Sequence, residues 1–397
     1  MRPVSIAGSG LLLRPPRPSD TEQVLAACQD PEVTRWTTLP EPYGRADAED
    51  WVRRAAPRGW HEGDHLVWYV VRAEDPDRLL ASIALHHVDR AAGTAELGYW
   101  AVPVVRGRGV PTEAVRLLAR WGFDELGLDR IEWRAAVGND ASRRVAEKAG
   151  VRVEGVSRAG LVINGRRFDA WVGGLLPGDL RGAPEQVATT PQEPFAVTER
   201  DPATPGSWRE LHEVELTAGA LHLRPWEDRD VEALATAVRD PAIALWSPFE
   251  DAGDPRADAE RFVRRAPTGD DPRAAFAVVD ATTGELLGGI SLIGLDRTER
   301  TAEIGYWTMP AARGRGIARR AVATTARWAF GALGVARLEL IHAIENEASC
   351  RVAQATGFAV EATLRSGYRY GDGRRHDEHL HGRLSSDPEP MGGGKPR

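Results

Sequence analysis

The chain has 397 residues, of which 42% are apolar and 27% charged, with a formal net charge of −7. That length exceeds one ordinary core and calls for two or three compact units. The acidic balance excludes a general nucleic-acid binder, which needs clustered excess Lys and Arg, and weakly favours a cationic substrate.

The N-terminal stretch MRPVSIAGSGLLLRPPRPSD lacks the long apolar region and cleavage site of a secretion signal. No apolar run approaches the roughly 18–20 residues that a membrane span requires. Cys28 and Cys350 are the two cysteines, so neither a disulfide framework nor a Cys-rich metal site is expected. These features predict a cytoplasmic protein without a membrane or nucleic-acid partner.

In chain order, LLLRPPRPSD (11–20) opens with strand character and leads into a helical region ending near DPEVTRW (30–36). Two strands follow, LVWYVVRA (66–73) and LLASIALHHV, both rich in β-branched and aromatic residues. TAELGYWAV then alternates Ala95, Leu97 and Tyr99 against Glu96, Gly98 and Trp100, which puts Glu96 and Leu97 on opposite faces of a strand. After VVRGRG (104–109) the period changes. Val110, Ala114, Leu117, Leu118 and Trp121 mark one face of a helix that begins at the turn. RIEWRAAV returns to strand, NDASRRVAEKAG reads as a capped helix ending at Gly150, and GRRFDAW (165–171) lies in the last strands.

The same order then repeats. AELGYWAVPVVRGRG (95–109) aligns with AEIGYWTMPAARGRG (302–316), and GNDASRRVAEKAG (138–150) with ENEASCRVAQATG (345–357), at one offset. LHLRPWEDRD (221–230), DPAIALW (240–246), AAFAVVDA (274–281), LLGGISLIGL and GRRHDEH (373–379) match the remaining segments after small shifts. A period of roughly two hundred residues is too long for a solenoid and predicts two homologous domains. The expected boundaries are 1–180 and 209–385, joined by a Pro-, Gly- and Thr-rich linker at 181–208 and followed by a loose tail at 386–397.

A strand that feeds a Gly-rich turn opening a helix aims free N–H groups at one spot, which suits a pyrophosphate. The turn lacks the Lys-Ser/Thr ending of an NTPase loop and is not G-x-G-x-x-G, so neither ATP nor NAD is indicated. RGRGVP (106–111) and RGRGIA (313–318) resemble the Arg/Gln-x-x-Gly-x-Gly/Ala loop of the GNAT acetyltransferase superfamily. AELGYW or AEIGYW before the loop, N-x-x-S about thirty residues after it, and the terminal G-R-R-x-D resemble its RimJ/RimL branch, which acetylates protein N-terminal amines. The resemblance covers both units.

It implies an α+β, mixed α/β architecture: two tandem GNAT folds, each a mostly antiparallel twisted sheet flanked by helices and opened by a central splay. It implies acetyl-CoA as co-substrate, held by Arg106, Gly107, Arg108, Gly109, Val110 and Asn139 in the first unit. In the second unit the holders would be Arg313, Gly314, Arg315, Gly316, Ile317, Ala318 and Asn346. The pantetheine arm would lie between strands 94–102 and 130–137, or 301–309 and 337–344. The reaction implied is direct attack of a primary amine on the thioester in a ternary complex, the acceptor being a protein N-terminus or a small-molecule amine. Glu96 and Glu303 are the expected proton acceptors, and Ser142 and Ser349 address the CoA sulfur. Most members use a Tyr for that last task, and VAEKAGV and VAQATGF offer none.

Other readings of these residues stay open. A strand-face Glu can simply pair with an Arg, and Asn139, Ser142, Asn346 and Ser349 can cap helices. The G-R-R-x-D segments, with Arg166, Arg167 and Asp169 or Arg374, Arg375 and Asp377, fit a salt-bridged hairpin or an acceptor mouth. Trp36 and Trp246 fit a core or a pocket. His86 and His87 face Ile293 and Gly294, which excludes a shared catalytic His. No metal is expected. Pro111, where the second copy has Ala318, removes one N–H from the first loop, while Arg143 in place of Cys350 adds a cation. The second unit is therefore the expected catalyst. By analogy with homodimeric relatives the two units would form a pseudo-dimer within one chain. A different class, an acetyl-CoA-sensing scaffold, would bind the donor without turnover.

Overall fold

The computed structural model describes residues 1–180, 187–192, 211, 214–247, 253–264 and 273–390. Most of the expected linker, and the tail beyond residue 390, lie outside the described residues. The chain divides into two compact units, Met1–Asp201 and Pro202–Arg397.

In the first unit β1 (Val4–Gly8) and β2 (Leu11–Arg14) lead to α1 (Thr21–Cys28), α2 (Pro31–Trp36), α3 (Arg45–Asp50) and, after a π turn, α4 (Ala56–Glu62). Then come β3 (Leu66–Arg72), β4 (Ala81–Asp89), β5 (Thr94–Ala101), α5 (Val110–Asp124), β6 (Arg130–Ala136), α6 (Asp140–Ala149), β7 (Arg152–Ile163), β8 (Arg166–Leu175) and β9 (Ala188–Pro191). Strand β9, within the stretch read as a linker, pairs with β1.

The second unit repeats the plan. It holds β10 (Leu216–Ala218), β11 (Leu221–Pro225), α7 (Val231–Ala237), α8 (Pro241–Trp246), α9 (Pro255–Arg264), β12 (Ala274–Asp280), β13 (Leu286–Asp296) and β14 (Thr301–Thr308). Beyond these lie α10 (Ile317–Gly331), β15 (Arg337–Ala343), α11 (Glu347–Ala355), β16 (Ala359–Arg369) and β17 (Arg375–Leu384).

Each sheet is antiparallel except at its centre, where β5 runs parallel to β6 and β14 to β15. Helices cover both faces, which explains why the central strands read as continuous apolar runs. On β3, Trp68 and Val70 join the core under α5, with Leu117, Leu118 and Trp121. Val67 and Tyr69, pointing the other way, pack with Val24, Cys28 and Val52 of the early helices. Phe276 and Val278 of β12 enter the corresponding core of the second unit with Ile317 and Ala321, while Ala277 and Val279 face the opposite side.

One buried ion pair recurs at the entrance to each unit. The Arg14 guanidinium donates to both oxygens of Asp20, at 2.8 and 2.6 Å, and Arg224 does the same to Asp230 at 2.7 and 2.8 Å. Both pairs tie the first core strand to the turn that starts the helical region.

Leu118 is fully buried where α5 meets the sheet. Leu118→Ala should cost about 2–5 kcal/mol in chemical denaturation of the full chain. A loss below about 1 kcal/mol would contradict this placement.

Candidate active site

The parallel ladder of each unit is short. In the first, pairing runs from Thr94↔Arg130 to Leu97↔Trp133, although β5 continues to Ala101 and β6 to Ala136. In the second it stops at Glu303↔Glu339, with β14 continuing to Thr308 and β15 to Ala343. Beyond those rungs the two strands diverge, leaving main-chain donors and acceptors on facing edges, a slot in which an extended ligand with amide groups can pair like a strand. A β-bulge beside each Glu, between His86 and Asp89 or Ile293 and Asp296, adds local twist.

The glycine turns lie at the end of the diverging strand. Gly107, Gly109, Gly314 and Gly316 have φ of 73°, 79°, 74° and 71°, a left-handed backbone that other residues adopt only with strain. Gly109 and Gly316 are the N-caps of α5 and α10, and no side chain caps either helix. Three of the expected phosphate donors are already used. Arg106 N–H donates to Pro103 O, Arg108 N–H to Val105 O, and Arg313 N–H to Pro310 O. Among the described residues, the amides of Gly107, Gly109 and Val110 have no backbone acceptor, nor do those of Gly314, Arg315, Gly316, Ile317 and Ala318. Together these amides make a cradle of the kind that can hold an anion. Pro111 shortens it by one donor in the first unit.

The arginines of each turn also divide. Arg106 donates to Asp30 at 2.5 Å and to Ala101 O at 3.2 Å, and Arg313 pairs with Asp240. Asp30 and Asp240 are the N-caps of α2 and α8, so these pairs tether the turn to the early helices. Burial would raise the Asp30 carboxyl, but Arg106 and two backbone amides hold it below its usual range. The cations left exposed at the cradle are Arg108 in the first unit and Arg315, Arg319 and Arg320 in the second. The first unit has Glu113 in that helical turn, paired with Arg116. The second cradle therefore attracts a polyanion more strongly.

The two candidate bases differ sharply. Glu96 accepts from Arg134 at 2.7 and 3.2 Å. Burial alone would raise its carboxyl, yet Arg134, with His86 and His87, holds it below the ordinary value. The ion-pair reading applies here. In the second unit Ile341 occupies the position of Arg134, and Glu303 has no hydrogen-bond or ion-pair partner among the described residues. Burial, with the neighbouring carboxylates Glu339 and Glu378, pushes Glu303 up to about 8. Glu339 is tied to Arg337, and Glu378 accepts from the Tyr370 hydroxyl at 2.8 Å.

Asn139 and Asn346 cap α6 and α11, their side-chain oxygens accepting from the amides of Ser142 and Ser349 at 3.1 and 3.2 Å. Each Ser hydroxyl meets a Tyr that sequence reasoning missed. Ser142 donates to the Tyr99 hydroxyl at 3.0 Å, and Tyr99 in turn donates to Ser142 O at 2.8 Å. In the second unit Tyr306 and Ser349 lie 2.8 Å apart, with the Tyr306 contact to Ser349 O lengthened to 3.5 Å. When Tyr306 donates to Ser349, the Ser proton stays available for a third group. The signal was the repeated GYW, whose Tyr shares a strand face with Leu97 or Ile304 and thus points toward the helix carrying Ser.

Beside the C-terminal ends of β6 and β15 the late hairpin is held by side chain-to-backbone bonds. Asp169 and Asp377 accept from the amides of Ala159 and Ser366, while Arg167 and Arg375 donate to the carbonyls of the same two residues. Trp246 is half-buried beside this hairpin, edge-on to Tyr370 and His376 at 5.4 and 5.7 Å, and His376 sits between Glu345 and Asp372. Trp36, also half-buried, lies under the Arg35 guanidinium at 4.6 Å. Acid groups and aromatic faces together suit a cation. The fold also brings His342, Cys350, His379 and His381 together in the second unit, which no sequence spacing announces.

The Glu303 shift sets a pH dependence. Its folded value lies above the unfolded 4.5, so the fold prefers the neutral carboxyl and loses stability as pH rises from 4.5 to about 8. Glu303→Gln should remove that loss, giving a full-chain melting temperature above the parent's near about pH 9 and a flatter pH profile. Glu96→Gln should act oppositely, lowering the melting temperature at neutral pH with a difference that shrinks in acid. A Glu303→Gln chain that melts below the parent at high pH would contradict this picture.

The family model described as "Acetyltransferase (GNAT) domain" matches residues 10–152 and 220–359. The Bacillus subtilis (strain 168) protein named "Putative ribosomal N-acetyltransferase YdaF" is 40% identical over 104 residues, 26% of this chain. YjcK of the same organism, named an N-acetyltransferase, is 38% identical over 119 residues, 30% of this chain. The chain spans 57% and 66% of the lengths of these two relatives. YoaA, another N-acetyltransferase by name from that organism, is 30% identical over 40% of this chain and 89% of its own. A solved GCN5-related N-acetyltransferase from Brucella melitensis is 27% identical, covering 45% of this chain and 84% of its own, with a TM-score of 0.39. With a domain match in each half, spanning well over half of its length, the chain belongs to the GNAT acetyltransferase family.

Proposed function

We propose that the chain is an acetyl-CoA-dependent N-acetyltransferase for a primary amine, and that its second unit carries most of the turnover. The carrying observation is Glu303, an unpaired carboxylate at the last rung of the parallel ladder with a proton affinity raised to about 8. In this reading the CoA diphosphate rests on the amides of Gly314–Ala318 with Arg315, Arg319 and Arg320 around it, and the pantetheine amides pair with the open strand edges. The thioester carbonyl then lies beyond Glu303. The ionised Glu303 accepts the ammonium proton of the acceptor, directly or through water, and the free amine attacks the carbonyl carbon. The C–S bond breaks as the C–N bond forms, and the second proton shed by the nitrogen passes to the departing thiolate. Ser349, held by Tyr306, donates its hydroxyl proton in a hydrogen bond to the departing sulfur.

The raised proton affinity of Glu303 suits an α-amine better than a lysine, because a protein N-terminus titrates near 7.7–8.0 and a lysine near 10.4. The relative named a putative ribosomal N-acetyltransferase supports an acceptor amine on a ribosomal component. The Trp246, Tyr370 and Glu378 side of the slot supplies aromatic and acidic surface for a cation. In the first unit Arg134 keeps Glu96 a weak base and Pro111 shortens the cradle. That supports donor binding with slow turnover there, a narrower form of the sensing reading.

Thiol release from acetyl-CoA over a panel of amines tests this. Glu303→Gln should lower kcat by about 10²–10⁴-fold, Ser349→Ala should lower it less, and Glu96→Gln least, with donor binding retained in all three. The rate should rise with pH along a limb near 8. Donor binding without turnover of any amine would favour the sensor instead.

A further inference from the structure

We propose that His342, Cys350, His379 and His381 form a tetrahedral zinc site that clamps the first turn of α11 to strands β15 and β17. Antiparallel pairing sets His342 opposite His379, and His381 follows two residues along on the same face. Cys350 reaches the cluster from α11. One ligand atom from each residue lies within 4.8 Å of all the others. His342 Nε2 and His381 Nε2 are 3.1 Å apart, and Cys350 Sγ is 3.9 Å from His379 Nδ1. Tetrahedral zinc, with bonds of about 2.0–2.1 Å to N and 2.3 Å to S, needs ligand separations of about 3.3 and 3.6 Å. Small side-chain movements close the difference.

The hydrogen bonds around the rings point to a cation. His342 Nδ1 faces Ala343 O at 2.8 Å, and His381 Nδ1 faces Phe358 O at 3.2 Å. A carbonyl only accepts, so each Nδ1 must carry its proton and each neutral ring then presents a bare lone pair at Nε2. Those two lone pairs face each other in a buried site, His342 and His381 being 4% and 0% exposed. Turning either ring into the other tautomer only moves the clash to a carbonyl. An Nδ1–H on a backbone carbonyl with Nε2 on the ion is the usual setting of a metal-ligating histidine. Gln354 Nε2 also donates to Cys350 Sγ at 3.5 Å.

The first unit supplies a comparison within the chain. Its matching residues are Ala135, Arg143, Trp171 and Gly173, and there Arg143 lies over the Trp171 ring at 4.9 Å. All four ligands are absent together, and a cation over an aromatic face fills the place. An N₃S donor set selects zinc over magnesium or calcium, and its four protein ligands leave no open position, which makes the site structural. On binding, the Cys350 thiol releases its proton to solvent as the Zn–S bond forms, and the contact between His342 and His381 gives way to two Zn–N bonds. Because Ser349 precedes Cys350, the ion fixes the residue assigned to the departing sulfur. The zinc site itself stands independently of the acetyl-transfer reading.

The test uses the full chain, stripped by chelator and titrated with Co²⁺ and then Zn²⁺. One equivalent of Co²⁺ should give the intense visible bands of a tetrahedral ion and a near-ultraviolet thiolate charge-transfer band, all displaced by one equivalent of Zn²⁺. Cys350→Ser should abolish the charge-transfer band, and His379→Gln, at a half-buried position, should abolish stoichiometric zinc binding. The control His222→Gln, outside the cluster, should change neither. Circular dichroism of the metal-free variants should match the metal-free parent. Absence of stoichiometric binding in the parent, or binding unchanged in Cys350→Ser and His379→Gln, would overturn the proposal.

Discussion

The constraint on which the rest of this structure depends is the early end of the parallel ladder. Two adjacent strands that share only their first rungs leave unpaired N–H and C=O groups facing one another, and buried main-chain groups need partners. A single break thus makes a slot, places one Glu at its closed end, and aims the diverging strand at the glycine turn. The anchors of that geometry lie outside the slot. Arg130 bonds to Glu132 and Glu154, and Arg337 to Glu339 and Glu361, so a buried cation braces the strand where pairing begins. Arg106 with Asp30, and Arg313 with Asp240, fix the turn to α2 and α8.

Duplication lets one frame hold two electrostatic settings. Arg134 against Ile341, together with His86 and His87 in the first unit and Glu378 in the second, separates a carboxylate locked in an ion pair from one pushed up to about 8. The effect is large because both carboxylates are partly buried, where a neighbouring charge acts through a weaker dielectric screen than water. The cradles diverge in the same direction, with Glu113 at the first and Arg319 and Arg320 at the second. The second unit thus joins a more cationic turn to a carboxyl of raised proton affinity, and the first does not.

Local features of the chain carried much of this. The helix face Val110, Ala114, Leu117, Leu118 and Trp121 is buried throughout, and both helices begin at the glycine turns, as read from the change of period. The repeat itself located the paired segments. What escaped is non-local. The partners of Ser142 and Ser349 lie 43 positions away on Tyr99 and Tyr306, and Arg106 finds Asp30 across 76 positions. Whether a strand-face Glu meets an Arg or an Ile depends on the parallel register, which composition does not encode. The His and Cys cluster stayed hidden for the same reason, since its residues converge only when β15, β17 and α11 stack. Residues 188–191 read as linker because a four-residue edge strand of Ala, Thr and Pro shows no apolar alternation.

The most direct measurement is hydrogen exchange of the full chain with and without acetyl-CoA, resolved by peptide. The account predicts strong protection at 314–318 and along the open edges of 304–308 and 340–343, with weaker protection at 107–110. Protection confined to other segments, or no change at either glycine turn, would contradict it.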